Sequence, residues 1–402
     1  MTPTVQRRFD AIVVGLGAFG AATAYQLAKA GARVLGVDRF VPPHAHGSSH
    51  GDTRITRLAI GEGDAYVPLA IRSHEIWREL EAATGESLLT ATGGLWISSG
   101  ARRAETHVKG FFDNTLAAAR RFGIRHEVLD AAAIRKGFPQ FRVSSNESGY
   151  YEPGAGFVRP ESCIRAQLRL AASHGAVLHT GEDVRAFEEQ GGHVLVVTDR
   201  GRYEAGQVVV CAGAWITRLA GPDLARLFTL TRQVLYWFDV ADNYRQFAIP
   251  RFPVWIWELQ HTDRVIYGFP AIDGLTGGAK VATEQYGEAL TPGEIEALEP
   301  VSDAQARAMH ERLVAPNLPG LGRALIKAVP CIYTATPDFQ FLIDRHPQMR
   351  RVILASPCSG HGFKHSAAVG EALAAMALGR ESPHDVASFC LARFDRAGAG
   401  LI

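Results

Sequence analysis

Asp10-Ala-Ile-Val-Val-Gly-Leu-Gly-Ala-Phe-Gly20 decides how this chain folds, together with the apolar-periodic run to Gly31 and the segment Val34-Leu-Gly-Val-Asp38 that follows. The pattern reads as strand, tight glycine turn, helix over Ala21–Ala30, strand, and a terminal acid. Each residue type has a physical task. Gly15 permits the sharp turn, Gly17 lets the backbone approach a pyrophosphate, and Gly20 lets the helix lie close to the sheet. The helix start offers free N–H groups and a positive dipole end to phosphate. Asp38, eighteen residues past Gly20, ends the second strand where a carboxylate can accept ribose hydroxyls. The stretch therefore predicts a dinucleotide site.

Working outward, the 402 residues suffice for two domains and a large core. With 47% hydrophobic and 21% charged residues, the composition is that of a soluble globular chain. A net charge of +1 gives no field that would favour nucleic acid or an anionic membrane. No apolar run reaches the roughly 18 residues that span a bilayer. The N-terminus reads as a first strand rather than a signal peptide. Five dispersed cysteines without CxxC spacing argue for a reduced, cytoplasmic setting and against a disulfide framework or a metal site.

No internal repeat or low-complexity linker marks domain boundaries, so motif placement sets them. After the opening unit come a loop rich in Pro, His, Gly and Ser (Pro42–Gly51), a basic patch, and a helix over Tyr66–Thr84. A strand is expected over Thr92–Ser98, helices over Ala101–Phe122 and Cys163–His174, and strands at Val177–Leu178, Val194–Val197 and from Gln207. From Thr229 the texture changes to long alternating segments (Gln233–Val240, Pro253–Leu259, Val265–Phe269), then a charged helix over Ser302–Arg312. The last block holds a strand at Val352–Ser356, a glycine turn and a helix over Ser366–Leu378. The expected architecture is α/β. A Rossmann-like cofactor domain, discontinuous over 1–86, 150–215 and 325–402, carries a β-rich α+β substrate domain from 87–149 and 216–324.

Two further stretches carry chemistry. Gly47-Ser-Ser-His-Gly-Asp-Thr-Arg-Ile-Thr-Arg57 joins small residues to two cations, Arg54 and Arg57, that face the same way if the segment is helical. Ser359-Gly-His-Gly-Phe-Lys364 is a second strand–glycine turn–helix, whose N–H groups form an anion-friendly nest beside Lys364. Taken alone, Cys331 reads as an inert core thiol and Lys280 as a strand-end surface lysine.

The run Pro42–Arg57 resembles the monomeric sarcosine oxidase and N-methyltryptophan oxidase family, and so do Gly61-Glu-Gly, Tyr66-Val-Pro-Leu69 and Tyr267-Gly-Phe-Pro270. Cys331-Ile-Tyr-Thr334, Thr336-Pro-Asp338 and Ser359–Lys364 complete the match, in family order across nearly the whole chain. The resemblance implies an FAD enzyme that oxidises the C–N bond of a secondary (N-methyl or cyclic) amino acid to an imine. A hydride passes to the flavin, and O₂ reoxidises it to give hydrogen peroxide. It implies that Cys331 carries the FAD covalently, that Lys280 activates oxygen, and that Arg57 and Lys364 bind the substrate carboxylate. Tyr267 and Tyr333 would line the pocket, with Arg54 and His50 beside the flavin ring where a cation stabilises its reduced form. The expected cofactor contacts are Gly15, Gly17, Gly20, Asp38, Ser48, Arg54, Val184, Cys331, Gly360, Gly362, Phe363 and Lys364. Partners would be a small amino acid or amine and O₂, for a monomer.

The chain departs from the family pattern at Ile60, where relatives carry tyrosine, and at Glu284, where they carry histidine. The loop Asp273–Gly278 and the pair Pro357-Cys358 are also atypical, and three of the four departures are expected around the substrate pocket. Alternatives are a flavin dehydrogenase with another electron acceptor, an NAD-dependent dehydrogenase sharing only the first 38 residues, and a non-catalytic flavin-binding subunit.

Overall fold

The computed structural model describes residues 8–100, 107–241 and 243–396. The opening strand Arg8–Val14 pairs in parallel with Val34–Asp38 on one side and Arg202–Val210 on the other. Val177–Thr180 extends this sheet beyond Val34–Asp38, and Val352–Ser356 extends it beyond Val208–Val210, both in parallel. Ile12, Val13, Leu35 and Val209 are fully buried, as continuous apolar strands covered on both faces should be. Each such side chain contributes about 1.5–3 kcal/mol relative to exposure. The hairpin Val184–Gln190/His193–Thr198 adds antiparallel strands at the edge.

The first helix, Ala18–Lys29, is rich in alanine, the best helix former, and ends on Lys29, whose charge suits the C-terminal dipole. Its small residues let the helix Ser366–Ala377 approach closely. A Cβ built on Gly370 would lie 2.3 Å from that of Ala22. Both helices point their N-termini toward the same region of the molecule's interior, where glycine turns deliver the chain from a parallel strand.

The second sheet is mixed. Thr229–Val240 pairs antiparallel with Ala279–Thr283 on one side and with the 15-residue strand Leu321–Ala335 on the other. Val265–Gly268, Val254–Glu258, Gly94–Ser98, Ser148–Glu152 and Glu127–Asp130 continue it. Trp255, Trp257, Phe141 and Phe252 fill one face as a cluster of edge-to-face and stacked rings. The expected boundaries at 150 and 325 fall inside two of its strands, Ser148–Glu152 and Leu321–Ala335.

Most expected elements appear with shifted ends. Helix Tyr66–Thr84 and strand Val352–Ser356 match in full. The helix expected over Ala101–Phe122 is observed as Phe111–Arg121, and residues 101–106 lie outside the described residues. The helix expected from Cys163 begins at Pro160, whose missing N–H costs nothing in a first turn.

Candidate active site

The glycine turn performs its three tasks in different ways. Gly15 has φ +84°, and a Cβ there would lie 2.5 Å from the Cys211 carbonyl oxygen. A Cβ on Gly20 would fall 1.7 Å from the Gly15 carbonyl oxygen, so only glycine lets the helix begin so close to the strand. Gly17 instead faces open space, its nearest neighbour being Ser49 Oγ at 3.8 Å from a built Cβ. Gly17 caps the helix with no side-chain hydrogen bond, which leaves first-turn N–H groups free for an anion.

A cleft opens in front of this turn, lined by Gly15, Gly17, Asp38, Val184 and the Arg39–His44 segment among others. Asp38 is buried, and its two oxygens accept from the Leu16 and Phe40 N–H groups, each at 2.7 Å. It thereby ties the turn to the second strand while each oxygen keeps a lone pair for an external hydroxyl. A second cleft adjoins the first, and the two share Ala18, Phe19, Ser48, Ser49 and Cys358 as walls. They enclose about 1020 Å³ and 1060 Å³ of space between atoms, open solvent included. Sharing those walls, they form one elongated groove.

Arg54, Arg57, Tyr267, Lys280, Cys331, Tyr333, Gly360, Gly362, Phe363 and Lys364 all line the second cleft. Arg54 lies on a short strand, Arg54–Thr56, so the helical spacing expected for the two arginines does not hold. An extended segment sends Arg54 toward Ser48, whose carbonyl accepts from Nη2 at 2.7 Å, and Arg57 toward Glu62. Cys331 is buried, with Sγ 3.8 Å from Arg54 Nη2 and from the Ser48 carbonyl oxygen. Burial pushes its thiol pKa up, and the neighbouring guanidinium opposes that rise. The Tyr267 and Tyr333 hydroxyls lie 3.5 Å apart.

Lys280 is no surface residue. It is 2% exposed, donates to the carbonyls of Gly51 (2.9 Å) and Thr53 (2.7 Å), and sits 3.9 Å above the Phe269 ring. Burial, then the Arg54 charge, hold its amine well below the ordinary lysine value. His50 does not line the cleft. Burial and Arg54 depress its pKa to about 3, so the ring is neutral and adds no positive charge there.

Arg57 and Lys364, more than 300 residues apart, converge on one carboxylate. Arg57 Nη2 donates to both oxygens of Glu62, at 2.9 and 2.8 Å, and Lys364 Nζ donates to Oε1 at 3.2 Å and to the His361 carbonyl at 2.7 Å. Trp96 and Phe111 flank the Arg57 guanidinium at 5.6 and 4.9 Å from their ring centroids. Burial alone would raise the Glu62 pKa, but Arg57 and Lys364 hold it well below the usual carboxylate range. Lys364 is pushed down to about 8, by burial against the opposing pull of Glu62. The two cations thus form a clamp of the size and charge of a carboxylate.

Glu62 was absent from the residues expected at the site, although it stands within Gly61-Glu-Gly, a short reach from Arg57. His107 and Gln233 also line the cleft without having been foreseen. Of the four departures, Glu284 and Cys358 line the second cleft. Pro357 lines the first, Ile60 is buried in the core, and the loop Asp273–Gly278 contributes no wall. Among the described residues no cluster of ligating side chains suits a metal, all five cysteines are free, and no helix is long and apolar enough to cross a membrane.

A parallel sheet with its ligand groove across the strands' C-terminal ends, a glycine turn open to phosphate and an electropositive inner cleft define a flavin-type dinucleotide oxidoreductase. The chain belongs to the FAD dependent oxidoreductase family, matching it over residues 10–376. It is 42% identical over 390 residues to the monomeric sarcosine oxidase of Streptomyces avermitilis, covering 97% of each chain. It is 34% identical over 397 residues to the N-methyl-L-tryptophan oxidase of Yersinia pestis, covering 96% of this chain and 99% of that one. Among solved structures it resembles NikD, an unusual amino acid oxidase essential for nikkomycin biosynthesis, with a TM-score of 0.81 at 25% identity over 96% of this chain and 98% of that one.

Proposed function

We propose that this protein is a monomeric, cytoplasmic FAD-dependent oxidase of secondary amino acids. The observation that carries this is the convergence of Arg57 and Lys364 on a single carboxylate position inside the cleft that also holds Cys331 and Lys280. The activities named for the sarcosine and N-methyltryptophan oxidases support the same substrate class.

The residues fit the cofactor. Gly17 leaves room for a pyrophosphate, Asp38 and Val184 would hold the ribose end, and Ser48, Arg54, Gly360 and Phe363 line the path onward. FAD, when bound, supplies a two-electron acceptor for the amine and a donor to O₂. The chain's own residues do the rest. Arg57 and Lys364 orient the substrate through its carboxylate, a charge-assisted contact that offsets the cost of desolvating it. Tyr267 and Tyr333 wall the pocket and exclude water. Lys280, held by the Gly51 and Thr53 carbonyls, has one N–H left as an ammonium to meet negative charge developing on oxygen. Cys331 is the proposed covalent anchor, supported by its burial beside Arg54 and its place on the cleft wall. The first sheet with its helices would form the cofactor unit and the mixed sheet the substrate unit.

The test is an anaerobic screen of N-methyl and cyclic amino acids against the yellow holoprotein. Bleaching by members of this set, with peroxide in air, is the expected result. A protein that no amino acid bleaches would refute the proposal. For the anchor, acid precipitation should leave colour in the pellet of the native chain and release it from Cys331→Ala.

A further inference from the structure

We propose that Glu284 and His107 form a cation subsite in the substrate cleft, so that the preferred substrate is a secondary amino acid with a second, positively charged group on its side chain. This deepens the amino-acid oxidase reading and rests on it.

Glu284 directly follows the strand Ala279–Thr283, which carries Lys280. Four residues of extended chain separate the two by roughly 13 Å, yet both line the cleft. Lys280 marks the end with Cys331 and Arg54, where the chemistry is placed. Glu284 lines the same cleft beside His107.

Its surroundings leave a buried acceptor open. His107 Nδ1 lies 3.3 Å from Glu284 Oε2, and the His107 side chain is only 2% exposed. If Nδ1 carries the proton shared with Glu284, Nε2 is left as a lone pair, and Nε2 has no hydrogen-bond partner among the described residues. The buried Tyr286 hydroxyl is likewise unpartnered. The rings of Tyr286 and Phe339 lie 6.1 and 5.7 Å from His107 and add electron-rich faces. An ammonium or guanidinium would satisfy the carboxylate and the orphaned lone pair together. An apolar side chain would leave the His107 Nε2 lone pair buried without a partner, which is costly, and Glu284 with His107 alone.

The charges of the cleft agree. Arg57 and Lys364 against Glu62 leave one positive charge, enough for one substrate carboxylate. Arg54 is a further positive charge at the Lys280 end, but among the described residues Glu284 has no arginine or lysine within ion-pair distance, only His107, and so offers its charge to a group of opposite sign.

The experiment compares α-N-methylornithine with α-N-methylnorvaline, equal in chain length and different by one terminal ammonium, as substrates of the holoprotein. The native chain should favour the ornithine compound in kcat/KM by at least tenfold. Glu284→Gln should reduce that ratio by at least tenfold, chiefly through KM for the basic substrate, with the neutral substrate serving as the internal control for folding. A native ratio near one, or a ratio unchanged in Glu284→Gln while norvaline is still oxidised, would overturn the subsite and leave the oxidase reading intact. The native ratio decides the matter even if the variant does not fold. If neither compound, nor any other N-alkyl amino acid, reduces the flavin, both readings fall together.

Discussion

Lys364 and Lys280 are buried amines with different acceptors, and each makes its own prediction. Lys364 has a folded pKa of about 8, below the ordinary value of 10.5. Between those values the unfolded chain binds more protons, so the Lys364 contribution makes stability rise with pH across that window. Function should respond in the opposite sense. A carboxylate needs the ammonium, so KM for a carboxylate substrate should rise as pH passes about 8. In Lys364→Met that limb should vanish while KM is high throughout, as a pH series of initial rates would show. Lys280 serves the other half-reaction. Charge forming on oxygen in a poorly solvated cleft is stabilised by a fixed donor. Lys280→Met should slow reoxidation by O₂ by orders of magnitude and change anaerobic reduction much less. An unchanged O₂ rate constant in stopped flow would place the oxygen site elsewhere. That Arg57, Cys331 and Lys364 share one cleft is in keeping with the motifs that carry the resemblance, whereas Lys280, read alone as a surface lysine, was singled out by the resemblance only. Glu62 and His107 were not, because their roles arise from contacts with Lys364 and Glu284, 302 and 177 residues away.

The elements that local sequence specified most clearly are those whose neighbours are close in the chain. Tyr66–Thr84 carries a helical apolar stripe and stops at Gly85 with φ +73°, a left-handed cap that glycine adopts without strain. The strand Leu321–Ala335 gave no such signal. Its outer half carries Arg323 and Lys327 and is largely exposed, and Pro330 argues against a central strand. Pro330 is tolerated because this strand pairs on one side only, with Thr229–Val240. The first helix offers a sharper test of fit. Gly20→Ala places a methyl 1.7 Å from a backbone oxygen that cannot yield without moving the turn. Overpacking of this kind costs about 1–3 kcal/mol. The variant should melt lower and bind less flavin per chain, in a thermal scan and an absorbance ratio respectively. Gly17→Ala, with open space ahead of it, should keep its fold and lose flavin only.

Across the whole molecule, the chain passes from the first sheet to the second and back, twice. Neither sheet is built from one continuous segment, so neither can form while the other half of the chain is remote. Unfolding should therefore be one cooperative event, with far-ultraviolet ellipticity and flavin release falling at the same denaturant concentration. A flavin-free intermediate that keeps one sheet would separate the two curves. The recurrence of nucleotide-type segments points to strands of one sheet drawn from distant parts of the chain, but it does not give the pairing partner of each strand. The return path is made by the strand Leu321–Ala335, which has a parity. Cys331 and Tyr333 look into the cleft, while Ile332 between them is fully buried against Ala214, Leu230 and Ile295. One residue gained or lost upstream of Cys331, with pairing kept, would turn an isoleucine to the groove and bury a thiol and a phenol in oil. The chain's count along a single strand is thus what decides that this face of the protein is reactive at all.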